Sequence, residues 1–257
     1  MDYKKVLKLS ITAGERLLFN GSATYRIEKE INKVLSVCPF TNKEVFVTTS
    51  GIVVTVDSPE SGLLTMVKHV TKKGMNTERI AIIESIITNF TEGNISVDEA
   101  IKEISGIAYR SSYPFYVTVA AFAISGAFRS FMFGGTVFDA VASLVVGMCV
   151  GITIQALNTQ KLPSFLVTLV AGFIVGFVAV LLRSFSIGSN LDKIIIGSLI
   201  TFAPGVPMAH AINDILNGEQ MSGIIRGLEA TLTGVAIAMG IAIAVYVWRF
   251  LGGQSVE

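Results

Sequence analysis

Thr201-Phe-Ala-Pro-Gly-Val-Pro-Met-Ala-His-Ala-Ile-Asn-Asp-Ile-Leu-Asn217 decides how the rest of this chain is read. The stretch starts as the end of an apolar run of membrane length. It breaks at Pro204-Gly205-Val206-Pro207 and resumes as a helix carrying His210, Asn213, Asp214 and Asn217. Proline removes a backbone donor and clashes with the preceding turn, so two prolines around a glycine unwind a helix. Backbone freed at membrane depth is tolerated only where protein buries it or a wet cavity lines it. Broken membrane helices with polar neighbours are where secondary transporters hold solutes.

Working outward, the composition agrees with a membrane chain. Of 257 residues, 51% are hydrophobic and only 15% charged, more apolar than an ordinary soluble protein. Residues up to about Arg110 hold most of the charge, and the remainder is nearly charge-free. The expected layout is a soluble α+β domain over 1–112 followed by a mainly α transmembrane domain over 113–257. Net charge is +1 with no Lys/Arg block, which argues against a nucleic-acid partner. The opening Met1-Asp2-Tyr3-Lys4-Lys5 lacks the apolar core of a signal peptide. Cys38 and Cys149 have no metal-ligand spacing and read as ordinary thiols; no metal or cofactor is expected.

Five spans are expected: 115–133, 137–157, 164–182, 191–207 and 227–250, each near the roughly 20 residues that cross the hydrocarbon layer. The fourth is short, as befits a helix that breaks before completing its crossing. Gly134-Gly135 makes a tight connection between the first two. Gly147…Gly151 and Gly172…Gly176 are small-xxx-small pairs that let helices approach closely. A front domain without a signal is placed in the cytoplasm, at an inner or plasma membrane. Arg129, Arg183, Lys193 and Arg249 then lie at the far side, against the positive-inside tendency.

The front domain reads as helices over 7–19 and 25–35, then a hairpin of 44–49 and 52–56 joined at Ser50-Gly51. A third strand over 63–70 follows, then helices over 76–90 and 96–107, the last opened by a Ser96…Glu99 capping box. In the stretch 13–28, Gly21 ends one helix, Ser22 caps the next, and Arg26 pairs with Glu28 and Glu15. Two readings of Glu15, Gly21, Tyr25, Arg26 and Glu28 stay open: a helical hairpin held by salt bridges, or a surface that docks on the membrane part. There is no nucleophile elbow, His-Glu-x-x-His or phosphate loop, so an enzyme is disfavoured.

These stretches resemble the threonine/serine exporter family. Ala13-Gly-Glu…Gly21-Ser-Ala-Thr-Tyr-Arg-Ile-Glu28 is similar to its opening motif, and Thr201-Phe-Ala-Pro-Gly-Val-Pro…Ala211-Ile-Asn-Asp-Ile-Leu-Asn-Gly218…Ser222-Gly-Ile-Ile-Arg226 to its later signature. Tyr113-Pro114 and Phe133-Gly134-Gly135…Asp139 match further landmarks. More narrowly, the chain looks like the larger subunit of the split form, which works with a separate small four-span protein. The resemblance implies export of threonine and serine, or of dicarboxylates such as succinate, driven by a membrane gradient.

From the residues themselves, a helix over 208–217 sets His210, Asn213, Asp214 and Asn217 on one face. The break at Pro204, Gly205 and Pro207 begins a helix whose N-terminus, near Val206 and Pro207, would present free N–H groups to a solute carboxylate. Arg226 pairs with Asp214 or binds the solute, and His210 with Asp214 would carry a coupling proton. The plainer alternative is an interfacial loop with Asp214 in water. Arg129 and Asp139 read as a gate, a solute contact or an interfacial ion pair. Three functions are weighed: a transporter subunit completed by a four-span partner or self-association among membrane lipid, a scaffold or regulatory subunit, and a membrane-anchored enzyme. The first is preferred.

Overall fold

The computed structural model describes residues 2–60, 62–70, 74–107, 113–160 and 162–252. The chain divides into two compact units, Met1–Arg110 with Pro207–Gly227, and Ser111–Val206 with Leu228–Glu257. The expected boundary at 112 falls outside the described residues. Pro207–Gly227 groups with the front unit rather than with the membrane part, because its buried polar face finds partners there, as described below.

The front unit opens with α1, Tyr3–Phe19, whose N-terminus is capped by the Asp2 carboxylate accepting from the Lys4 and Lys5 amides. α2 spans Thr24–Leu35. Three strands follow, β1 Asn42–Val47, β2 Gly51–Ser58 and β3 Gly62–His69, antiparallel in the order β1-β2-β3. The hairpin pairs Val47 with Ile52, so its turn takes in Thr48 to Ser50, and Thr48 N–H donates to Gly51 O at 2.8 Å. β1 therefore ends two residues before the expected Thr49. β2 shows the period-2 alternation of a half-buried strand, with Ile52, Val54 and Val56 inward. α3, Thr77–Thr91, and α4, Val97–Gly106, complete the unit, and Ser96 and Glu99 form the expected capping box.

The helical stripe of α1 closes over β2 and β3, and that of α2 over β1. Leu9, Leu17, Ile27, Ile31, Ile52, Ile83, Ile87 and Ile104 are fully buried in one core, each contributing about 1.5–3 kcal/mol of apolar burial.

The second unit is built on α5 Phe115–Met132, α6 Val137–Asn158, α7 Ser164–Ser184 and α8 Leu191–Leu199. After an irregular stretch at 200–204 comes α9, Gly205–Leu216, and then α10, Gln220–Phe250. Among the described residues four helices are long and apolar enough to cross a membrane: α5, α6, α7 and α10. The chain is thus a mainly α, multi-pass membrane protein, with four such helices in place of the expected five. The expected fourth span, 191–207, is instead the nine-residue α8 and the start of α9. α8 ends at Leu199, and Pro204 disfavours helical geometry at the residue before it, so the helix resumes only at Gly205. Pro207 lies in the first turn of α9, where a missing N–H costs nothing. The expected fifth span starts earlier, at Gln220; its 31 residues extend about 46 Å, more than the hydrocarbon layer requires.

Small residues set the helix spacing in this unit. A Cβ on Gly147 would lie 2.6 Å from Phe122 O of α5, and one on Gly172 2.5 Å from Ile237 O of α10. The two glycine pairs singled out in the sequence are therefore packing seams, α6 on α5 and α7 on α10. Phe128, Phe138 and Tyr246 remain exposed, as suits a lipid-facing surface.

Candidate functional site

Two polar clusters emerge, one in each unit. In the front unit, α9 ends at a left-handed glycine: Gly218 has φ +90°, and Glu219 N–H closes back on Asp214 O at 2.9 Å. The chain then re-enters α10 hard against α9, since a Cβ on Gly223 would lie 2.7 Å from Ala211 O. This tight hairpin brings Asp214 and Arg226 together. Arg226 Nε lies 3.0 Å from Asp214 Oδ2, with side-chain exposures of 12% and 0%. The contact is an ion pair without hydrogen-bond alignment, and neither Asp214 oxygen accepts a hydrogen bond. Arg226 Nη2 donates to Ser22 O at 3.0 Å, which ties the later signature to the opening motif.

His210, one turn before Asp214, is half-buried, and its Nδ1 has no hydrogen-bond partner. Burial pushes its pKa below the ordinary imidazole value; the Arg226 and Arg26 charges push the same way, and Asp214 opposes them. The expected four-residue polar face is split. The buried stripe holds Ala211 and Asp214, with Pro207 and His210 at its margin, whereas Asn213 and Asn217 are exposed. Asn217 Nδ2 donates to the backbone carbonyl of Asn213 at 2.7 Å, one turn back along the outside of α9. Asp214 does not sit in water, which removes the interfacial-loop alternative for this residue. Gly205 at the head of α9 is exposed, while Pro204 and Pro207 are partly covered.

The opening motif is rearranged relative to its expected pairing. Gly21 has φ +86°, and a Cβ there would lie 2.7 Å from Gly74 O, so the turn demands glycine. Ala23, not Ser22, occupies the N-cap of α2, and Ser22 Oγ is buried without a partner. Arg26 pairs with Glu84 of α3 at 2.8 Å, and Glu15 with Lys68 of β3 at 3.3 Å. Packing of α2 on α3 and of α1 on the sheet offers these longer-range partners in place of the local ones. Tyr25 and Glu28 are half-buried. Burial, then the Glu219 charge, raises the Glu28 pKa.

In the second unit Arg129 and Asp139 do not pair. Asp139 is fully buried and saturated. Its Oδ2 accepts from Thr136 N–H at 2.8 Å, Thr136 Oγ1 at 2.9 Å and Asn190 Nδ2 at 3.0 Å. Its Oδ1 accepts from Ser189 N–H at 2.5 Å and Asn190 N–H at 2.9 Å. It is the third-position partner of the N-cap Thr136 in the capping box of α6 and also holds the turn before α8. Arg129 Nη1 donates instead to Ser125 Oγ, one turn back along α5, and to Thr201 Oγ1 at 2.5 Å, inside the 200–204 interruption.

Several of these partners escaped the sequence reading. Ser125 lies four residues before Arg129, a spacing that places both on one helix face and was legible. Thr201, Ser22 O and Asn190 are joined to their partners only by chain folding, and no local pattern announces them.

The family model ThrE, described as "Putative threonine/serine exporter", matches residues 8–248. A Mycobacterium tuberculosis protein named "Probable threonine/serine exporter" is 23% identical over 246 residues, 94% of this chain and 46% of that protein. The "Threonine/serine exporter" of Corynebacterium glutamicum is 21% identical over 253 residues, 96% of this chain and 52% of its own length. "Pheromone-regulated membrane protein 10" of Eremothecium gossypii is 25% identical over 194 residues, 72% of this chain and 26% of that protein. The chain therefore spans about half the length of the two exporters it matches. No solved structure gives a significant match.

Proposed function

The chain belongs to the threonine/serine exporter family, and from that premise we propose that it is a subunit of a secondary transporter exporting small carboxylate-bearing metabolites. Threonine and serine lead the candidates because two relatives carry those names; succinate-like dicarboxylates share the carboxylate and stay in the test. The membrane is the inner or plasma membrane, with the front unit on the cytoplasmic side. The role is transport, without catalysis of a chemical reaction.

The observation that carries this reading is the interruption at 200–204, which follows only nine residues of α8. Irregular backbone among membrane helices exposes polar groups that hydrocarbon cannot satisfy, and transporters use such breaks to meet solutes. The partner we propose for this pathway is a small four-span subunit or another copy of this chain.

Counterflow of labelled L-threonine, L-serine and succinate in vesicles, with and without a four-span partner, tests this. Exchange of one or more solutes that rises when the partner is present supports the reading. Full exchange by the chain alone overturns the partner requirement, and no exchange of any solute in either preparation overturns the transporter assignment. Imposing a pH gradient reads proton coupling directly, since flux indifferent to the gradient excludes it.

A further inference from the structure

We propose that Arg129, held by Ser125 and Thr201, is the membrane unit's receptor for the solute's carboxylate; this rests on the transporter reading above. A last-turn arginine of a spanning helix ordinarily snorkels outward to water and headgroups. Arg129 lies in the last turn of α5 but reaches the other way: Nη1 donates to Ser125 Oγ, one turn deeper, and to Thr201 Oγ1 in the interruption. The side chain is half-buried, and α8 fixes the approach, since a Cβ on Gly197 would lie 2.7 Å from Ser130 N.

What this arginine lacks is negative charge. Two hydroxyls occupy Nη1 but neutralise nothing, and among the described residues no carboxylate pairs with it. Asp139, the buried acid nearest in sequence, has both oxygens committed to Thr136, Ser189 and Asn190. Arg226 and Arg26, the other arginines among the candidate residues, are already matched by Asp214 and Glu84. A half-buried guanidinium without a counterion has lost part of its hydration, and an incoming oxyanion relieves that cost. Nε and Nη2 present the planar fork that binds a carboxylate through two parallel hydrogen bonds. A lipid phosphate offers the same oxyanion chemistry, so the test must separate the two.

The wild-type chain, in vesicles with its partner, is treated with phenylglyoxal, and arginine modification is mapped by mass spectrometry. L-threonine, L-serine and succinate are each tried as protectants, with threoninamide as the carboxylate-free control. We expect an exchanged solute to slow modification of Arg129 at least about fivefold, threoninamide to have no effect, and Arg226 to be indifferent to both. Vesicles of phosphatidylcholine with and without phosphatidylglycerol separate the sources: protection set by the anionic lipid and unchanged by solute overturns the proposal. Arg129→Gln should weaken half-saturation of exchange by about tenfold or more, the loss of a charge-assisted pair, with Arg129→Lys between the two. Exchange without solute protection of Arg129 overturns this inference and leaves the transporter reading standing. Protection without exchange overturns the transporter reading and leaves Arg129 as a carboxylate-binding residue only.

Discussion

Arg226 stands 3.0 Å from the fully buried carboxylate of Asp214 and hands its other edge to the carbonyl of Ser22. The two residues are twelve apart in the chain, yet the Gly218 turn folds them into one ion pair. The pair has no aligned hydrogen bond, so it rests on Coulomb attraction in a site that has shed water. A neutral pair is a poor receptor for a free carboxylate, and this directs attention to Arg129 as the solute contact.

Breaking that pair should be costly. Asp214→Ala or Arg226→Ala leaves a buried charge unmatched, a loss of about 3–5 kcal/mol. The double variant Asp214→Leu with Arg226→Met should cost less than either single change, because it removes both charges. Thermal unfolding of all four proteins checks this, and a double variant as unstable as the sum of the singles would show the charges to be uncoupled.

Asp139 should behave as a structural residue. Asp139→Ala removes an acceptor for Thr136, Ser189 and Asn190 together, and bonds to a charged group are worth about 1.5–3 kcal/mol each. We expect a marked fall in melting temperature with solute exchange per folded molecule kept. Exchange lost from a protein of unchanged stability would instead place Asp139 in the pathway.

Gly172→Ile should disrupt the seam between α7 and α10, where a Cβ would already lie 2.5 Å from Ile237 O. Overpacking costs about 1–3 kcal/mol, and here backbone must move to admit it. The same change at Gly234, where a Cβ meets nothing within 4 Å, is the control and should be nearly silent in thermal unfolding.

His210 predicts a pH dependence. Its pKa is depressed in the folded chain, mainly by burial, with the Arg226 and Arg26 charges adding and Asp214 opposing. Protonation then favours the unfolded state. The stability the neutral ring allows is complete above the ordinary value of about 6.5 and is lost as pH falls below it toward the depressed value. Melting temperature should drop as pH falls below about 6.5, and His210→Gln should flatten that slope. A variant with the wild-type slope would assign the acid sensitivity elsewhere.

Much of this was readable from the chain. The Ser96…Glu99 box, the alternation of Ile52, Val54 and Val56, and the apolar runs of α5, α6 and α7 are local signals, and the structure repeats them within a few residues. The break near Pro204 was also legible, although it lies at 200–204 and the run before it is too short to be a span. Charge partners were harder. Arg26 prefers Glu84 to Glu28, Glu15 prefers Lys68, and Arg129 prefers two hydroxyls to Asp139, because helix packing brings distant groups nearer than helical spacing does.

By itself, the sequence determined where the chain turns apolar, where it must break, and which glycines let helices touch. Those follow from periodicity, proline stereochemistry and the missing Cβ, all properties of a few consecutive residues. Only the tertiary structure decided that Pro207–Gly227 belongs with the front unit, that Asp214 is buried against Arg226, and that Arg129 turns inward to Thr201. The physical reason is one of range. A buried charge takes whichever partner the folded chain brings within about 3 Å, and that choice is made between elements rather than within them.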